Sequence, residues 1–257
     1  MSSETVLITG ASLGIGYELA KLFAADKSNL VLVARNGEKL DQLAAELRKT
    51  HGVEVRVLPK DLADPQSPQA IFDALVAENV RVDVVVNNAG FGAVGSVATL
   101  PLERQRDMIE VNIAALTQLT RLFLPGMIER GSGGILNVGS TAAFQPGPYM
   151  AVYYASKAYV LSFTEALAEE LLGTGVRVTC LAPGPTATGF AATANAEHRL
   201  LFKLGTADAE SVARAGYQGF RHGRSLVIPG LRNKLGTVAV RFAPRLLVRK
   251  IVKRLQL

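Results

Sequence analysis

Acidic residues are absent from the last 27 positions of this chain, cysteine occurs once and histidine three times. A single thiol, Cys180, excludes an internal disulfide, and its apolar neighbours Val178 and Leu181 mark it as a small buried hydrophobe. The histidines, His51, His198 and His222, fall in loops or at helix ends without partners at useful spacing. No His/Cys/carboxylate group has metal-ligand spacing, so no metal is expected. No uninterrupted apolar run approaches the length of a bilayer crossing. Met1-Ser-Ser-Glu leads into the first apolar run without a basic n-region or cleavage pattern, so a soluble, cytoplasmic protein is expected.

What is present is globular. Hydrophobic residues make up 49% and charged residues 19% of 257 positions, enough for one large core. The net charge of +6 is unevenly spread: residues 231–257 hold eight Lys/Arg, leaving 20 Lys/Arg against 22 Asp/Glu elsewhere, a body at −2. That split disfavours a nucleic-acid-binding body. Apolar β-rich runs begin at Thr5, Asn29, Val53, Val82, Gly134 and Val176, with amphipathic helical stretches between them. The fourth helical region, Leu102 to Ile128, contains Pro125, which is expected to kink or end part of it. Thr188 to Gly223 shows helical patches and no clear strand, and Ser225 to Pro229 reads as a seventh strand. The alternation predicts an α/β protein: a Rossmann-like, doubly wound parallel sheet of about seven strands in order 3-2-1-4-5-6-7, with helices on both faces. Residues 1–230 form that domain and 231–257 a basic extension.

Gly10-x3-Gly14-x-Gly16 follows the first strand and opens the first helix. Glycines there permit a tight turn, and the helix N-terminus offers unpaired N–H groups to a pyrophosphate. Strand two ends in Ala34-Arg35-Asn36, with Ala34 where a ribose-binding acid would stand. Arg35 reads either as the partner of a 2′-phosphate or as a solvated cap. Asn112, an amide between apolar neighbours, indicates a helix distortion or a site. Tyr153 and Lys157 are four residues apart on one helical face. Such an ammonium is expected to favour the phenolate and make Tyr153 a proton donor near neutrality. Tyr154 points about 100° away and reads as packing. Ser140 lies in Val138-Gly-Ser-Thr-Ala142, which lacks the hydrolase elbow.

In joint order, Thr9-Gly-x3-Gly-x-Gly16, Asp61, Asn87-Asn-Ala-Gly90, Asn112, Ser140, Tyr153-x3-Lys157 and Pro183-Gly184-x3-Thr188 resemble the short-chain dehydrogenase/reductase family. The resemblance covers about residues 5 to 230 and is nearest to NADP-preferring ketoacyl and carbonyl reductases. It implies a CH–OH oxidoreductase exchanging hydride between NADP(H), ahead of NAD(H), and a hydrophobic ketone or aldehyde such as a 3-oxoacyl or lipid-like compound. By the same resemblance Tyr153 is the general acid and Ser140 holds the substrate oxygen. Lys157 binds the nicotinamide ribose, and Asn112 anchors a proton relay. Gly10, Ser12, Leu13, Gly14, Ile15 and Gly16 would cradle the pyrophosphate, with Arg35 and Asn36 at the ribose. Asp61 and Leu62 would meet the adenine, and Asn88, Ala89 and Gly90 would line the cleft. Pro183, Gly184, Thr186 and Thr188 would sit at the nicotinamide. Phe91, Phe144, Tyr149 and Phe190 are candidate substrate-pocket residues, with Leu200, Leu201 and Phe202 available beside them.

From Pro244 onward Leu247, Val248, Ile251, Val252 and Leu255 gather on one helical arc, with cations on the rest. The extension is expected to dock on its own domain or a subunit; peripheral binding to an anionic membrane is the alternative. A homodimer through Leu102–Ile128 and Ala151–Leu172 is expected, with a tetramer as the alternative. Two other functions stay open: an NADP(H)-binding regulatory or scaffold protein, and a membrane-surface lipid reductase.

Overall fold

The computed structural model describes residues 3–194, 196 and 205–256; Leu200, Leu201, Phe202 and His198 lie outside them. Strands β1 (Thr5–Thr9), β2 (Asn29–Ala34), β3 (Val55–Pro59), β4 (Val84–Asn87), β5 (Gly133–Val138), β6 (Val176–Leu181) and β9 (Leu226–Val227) form one parallel sheet in the order β3-β2-β1-β4-β5-β6-β9. The expected order holds, its seventh strand being the ninth along the chain. The other two are β7 (Thr186–Ala187) and β8 (Ala207–Asp208), which pair with each other in a separate parallel sheet. That corrects the strandless reading of 188–223.

Alternation along each strand sorts the core into two layers. Val6, Ile8, Leu30, Leu32, Val84 and Val86 pack with α1 (Gly14–Ala25), α2 (Gly37–His51) and α8 (Ala209–Arg221). Leu7, Val31, Val33, Val85 and Ile135 face α3 (Ser67–Ala77), α5 (Leu116–Glu129) and α6 (Ala151–Glu170). Both faces of β1 and β4 are therefore covered, which is why these strands read as unbroken apolar runs. On this second face Asn87 Nδ2 donates to Asn137 Oδ1 (2.9 Å) and Thr120 Oγ1 (3.1 Å), and Asn137 Nδ2 donates to Thr164 Oγ1 (3.0 Å). These buried bonds tie the ends of β4 and β5 to α5 and α6.

The region expected to break at Pro125 breaks elsewhere. α4 (Leu102–Ile109) passes into a π-helical segment, Glu110–Ala115, and α5 then runs through Pro125 to Glu129. The cause of the wide turn is Asn112. Its Oδ1 accepts from Phe91 N (3.1 Å), while its Nδ2 donates to Phe91 O (3.0 Å) and Ser156 Oγ (2.9 Å). By length and mean hydropathy Leu102–Glu129 would suit a membrane crossing, unlike what the interrupted apolar pattern suggested. Here Val111, Ala115, Leu119, Phe123 and Met127 pack on the sheet instead.

The extension holds two helices. α9 (Leu231–Phe242) was not expected; it starts at Gly230, whose φ of +83° suits only glycine. α10 (Arg245–Gln256) follows Pro244, whose carbonyl accepts from Leu247 N and Val248 N. Val248 and Val252 are buried in a cluster with Met150, Tyr153 and Tyr154, so α10 docks on its own domain.

Candidate active site

Where β1 and β4 separate, the sheet opens a crevice of the kind that binds ligands at a topological switch point. Thr9 fixes its floor: its Oγ1 donates to Val86 O (3.3 Å) and accepts from Asn88 N and Ala89 N (3.0 Å each). Asn88 Nδ2 returns bonds to Thr9 O (2.9 Å) and Gly10 O (3.0 Å). The crevice widens into a cleft of about 510 Å³.

One wall is the first loop. Gly10, Ser12, Leu13, Gly14 and Ile15 line it at the start of α1. Leu13, at the N-cap, gives no side-chain cap, and the first turn carries no acid. The first N–H groups of α1 are thus left for an anion, which the nucleotide pyrophosphate fits. Gly16 does not line the cleft; a Cβ there would stand 2.3 Å from Asn88 Nδ2 and 2.4 Å from Gly10 O, so it serves close packing behind the loop.

Arg35 and Asn36 continue this wall at the end of β2, and Asn36 Oδ1 caps α2 by accepting from Lys39 N (2.9 Å). Arg35 Nη1 lies 3.9 Å from Asp61 Oδ2, an exposed pair of little worth to stability. Asp61 Oδ1 also accepts from Ala63 N (3.0 Å), and Leu62 is buried below it. Sequence reasoning missed Lys39 and Lys60, which add two cations to this end. The spacing Arg35-x3-Lys39 on a helix start was the available signal.

The opposite wall carries the polar set. Ser140, Tyr153 and Lys157 all line the cleft, reached from the end of β5 and the first turns of α6. Ser140 Oγ accepts from Ala142 N (3.0 Å), which holds its side chain at the start of the turn. Burial pushes the Tyr153 phenol up to about 12, and the hydrogen bond with Ser140 pulls against that rise. Burial likewise lowers Lys157 to about 8. Its Nζ donates to Val138 O (2.8 Å) and sits 6.0 Å from the Tyr153 ring centre. The expected lowering of the phenol by its lysine is therefore not what this geometry gives. Burial dominates, and the ammonium is turned to the strand end.

Asn112 is buried and stands outside the cleft lining. Its bonds to Phe91 and Ser156, with Ser156 Oγ donating to Tyr153 O (2.7 Å), make it a strut between β4 and the catalytic helix. Asn88, Ala89 and Gly90 line the floor; Pro183, Gly184, Thr186 and Thr188 line the far end. Thr186 Oγ1 donates to Gly184 O (2.9 Å) and Thr188 Oγ1 accepts from Phe190 N (3.2 Å), so both are also local braces.

Of the four substrate-pocket candidates, Phe91 and Phe190 line the cleft. Phe144 does not: it packs behind, with Cys180, Leu226 and Ile228. Tyr149 turns away too, its backbone at φ +66° and its ring under Lys253 Nζ at 5.9 Å. Tyr154, read as packing, lines the cleft while its ring also covers Gly147. Met150, Gln145, Arg104, Asp107, Val252 and Leu255 complete the substrate end, and none was anticipated as pocket lining. Arg104 is braced by Thr193 O (3.1 Å) and lies 4.1 Å over the Phe91 ring. The described residues hold no cluster of three potential metal ligands.

Known proteins share this arrangement. A family model described as short chain dehydrogenase matches residues 4–199. Sulfoacetaldehyde reductase 2 of Chromohalobacter salexigens is 42% identical over 190 residues, covering 73% of this chain and 75% of that protein. A short-chain dehydrogenase from Sphingobium yanoikuyae in complex with NADPH superposes with a TM-score of 0.85 at 34% identity, covering 95% of each chain. A relative from Burkholderia phymatum in complex with NAD gives 0.83 at 27% identity over 96% of each.

Proposed function

The chain belongs to the short-chain dehydrogenase family, and from that premise we propose that it catalyses reversible hydride transfer between NADP(H) and a hydrophobic carbonyl/alcohol pair. The observation that carries this reading is the convergence of Ser140, Tyr153 and Lys157 on one wall of a cleft whose other wall is an uncapped helix N-terminus. When bound, the nicotinamide cofactor supplies or takes the hydride. In reduction Ser140 Oγ donates a hydrogen bond to the substrate carbonyl oxygen, and Tyr153 Oη gives that oxygen its proton. Lys157, anchored on Val138 O beside Tyr153, would hold the nicotinamide ribose of the bound nucleotide. Asn112 keeps the catalytic helix in register with the cleft floor; it is a positioning residue.

For the cofactor, the chain lacks a carboxylate at Ala34 and gathers Arg35, Lys39 and Lys60 around the end of β2. This charge suits a 2′-phosphate, whereas relatives of similar fold carry NADPH or NAD. For the substrate, Phe91, Phe190, Met150, Val252 and Leu255 favour an apolar ketone or aldehyde, 3-oxoacyl compounds included. Half-exposed to exposed Leu102 and Ile109 on α4, Tyr159 on α6 and Leu172 just past its end support a homodimer through this side.

Tyr153→Phe tests the mechanism. NADPH oxidation against a set of aliphatic, cyclic and 3-oxoacyl carbonyls is expected in the wild type and lost in the variant, with NADPH binding retained. A variant turning over at near wild-type rates would remove Tyr153 as the acid.

A further inference from the structure

The extension carries an apolar stripe left exposed among the described residues. Leu231, Leu235, Val238 and Phe242 recur along α9 within an arc of about 60° at about 100° per residue. They are 73%, 61%, 49% and 85% exposed. The face that holds α9 to the body lies on the other side of the helix, at buried Thr237 and at Val240, which packs with the Val248 and Val252 cluster. The stripe therefore points away from the domain. On α10, Leu246, Leu247 and Ile251 are exposed as well. Cations flank this surface: Arg232, Lys234 and Arg241 on α9, and Arg245, Arg249, Lys250, Lys253 and Arg254 on α10, with no acid among residues 231–257.

We propose that α9 and α10 dock flat on an anionic lipid bilayer. In this arrangement the stripe inserts at the level of the acyl chains and the cations meet lipid phosphates and carboxylates. Charge selects this occupant. A second copy seated stripe to stripe would bring two acid-free, cation-flanked surfaces together, while an anionic lipid surface complements their charge. Apolar side chains directed outward between flanking Lys and Arg match an interfacial helix, in which long basic side chains reach the headgroups. The inference is independent of the reaction, since neither Leu235 nor Phe242 lines the cleft.

Co-sedimentation of the full chain with phosphatidylserine-containing phosphatidylcholine vesicles tests it. The wild type is expected to pellet with these vesicles, to stay in solution with phosphatidylcholine alone, and to be released by high salt. Phe242→Ser and Leu235→Ser should each weaken the partition on the order of tenfold, the loss of one inserted side chain. A wild type that does not pellet, or variants that pellet equally, would overturn the proposal. So would unchanged pelleting joined to a halved sedimentation mass in Phe242→Ser, which would seat a second copy on the stripe. NADPH oxidation with a water-soluble ketone, measured without vesicles, should be the same in wild type and variants. Its absence throughout would count against the reductase reading alone.

Discussion

Replacing Lys157 with methionine removes a buried cation while keeping most of its volume, and the resulting change in stability should depend on pH. Burial takes the Lys157 ammonium from 10.5 down to about 8, so near neutrality the folded chain holds a charge its surroundings oppose. At about 1.4 kcal/mol per pH unit this opposition amounts to roughly 3 kcal/mol. Between pH 8 and 10.5 the unfolded chain binds the proton and the folded chain does not, so stability from this residue rises with pH. It is lost again as pH falls through 8. Cys180, pushed by burial from 9.0 up to about 12, and Tyr153, pushed up to about 12, act in the opposite sense at higher pH. Both remain in the variant and both stay protonated in the folded chain between pH 7 and 9, so over that range the difference between the two proteins reports the lysine. Urea unfolding without nucleotide should show wild type gaining about 1.4 kcal/mol on Lys157→Met between pH 7 and 9. The lost bond to Val138 O adds a roughly constant offset of about 1 kcal/mol in favour of the wild type. Parallel curves, within about 0.5 kcal/mol across that range, would refute the burial argument.

Two further outcomes follow from the cleft and its outer surface. Arg35→Asp should weaken NADPH affinity roughly tenfold or more by removing one charge-assisted contact and adding a repulsive one, and should shift preference towards NADH. Fluorescence titration of both cofactors checks it, and unchanged NADPH affinity would take Arg35 out of the site. Sedimentation of the wild type in vesicle-free buffer should give a dimer mass; a monomer would leave the α4 and α6 surface without the partner assigned to it.

The architecture was legible because parallel strands buried on both faces leave continuous apolar runs, as in Val84-Val85-Val86, and because the glycine loop must follow the first of them. The Ser140, Tyr153 and Lys157 wall was legible for a similar reason, since one helix turn separates the last two. What escaped the sequence was decided by longer-range contacts. Two-residue strands such as β7 and β8 have no period to detect. The π segment hides inside a helical pattern because its cause is an amide bonded to Phe91, far back in the chain. Tyr154 packs as expected and lines the cleft as well, because direction round a helix says nothing of how far a cleft extends. Phe144 and Tyr149 were placed in the pocket on composition, but the former fills the space beside Cys180 and the latter turns at a positive φ. α9 went unseen because its apolar stripe faces outward and its buried side is Thr237 and Val240.

The wide turn at Glu110–Ala115 sets the reading frame of the whole helical region. A π turn accommodates about one residue more than an α turn, so α4 and α5 are out of phase by about 100°. In front, this phase offers Arg104 and Asp107 to the cleft; behind, it sets Leu119, Phe123 and Met127 on the sheet. Chain length here is consequently constrained more tightly than residue type. Shortening the segment by one residue would restore a regular helix and rotate one half against the other. Either the substrate end would lose its Arg104 brace or α5 would lose its seat, while many single substitutions on the outer face would disturb neither.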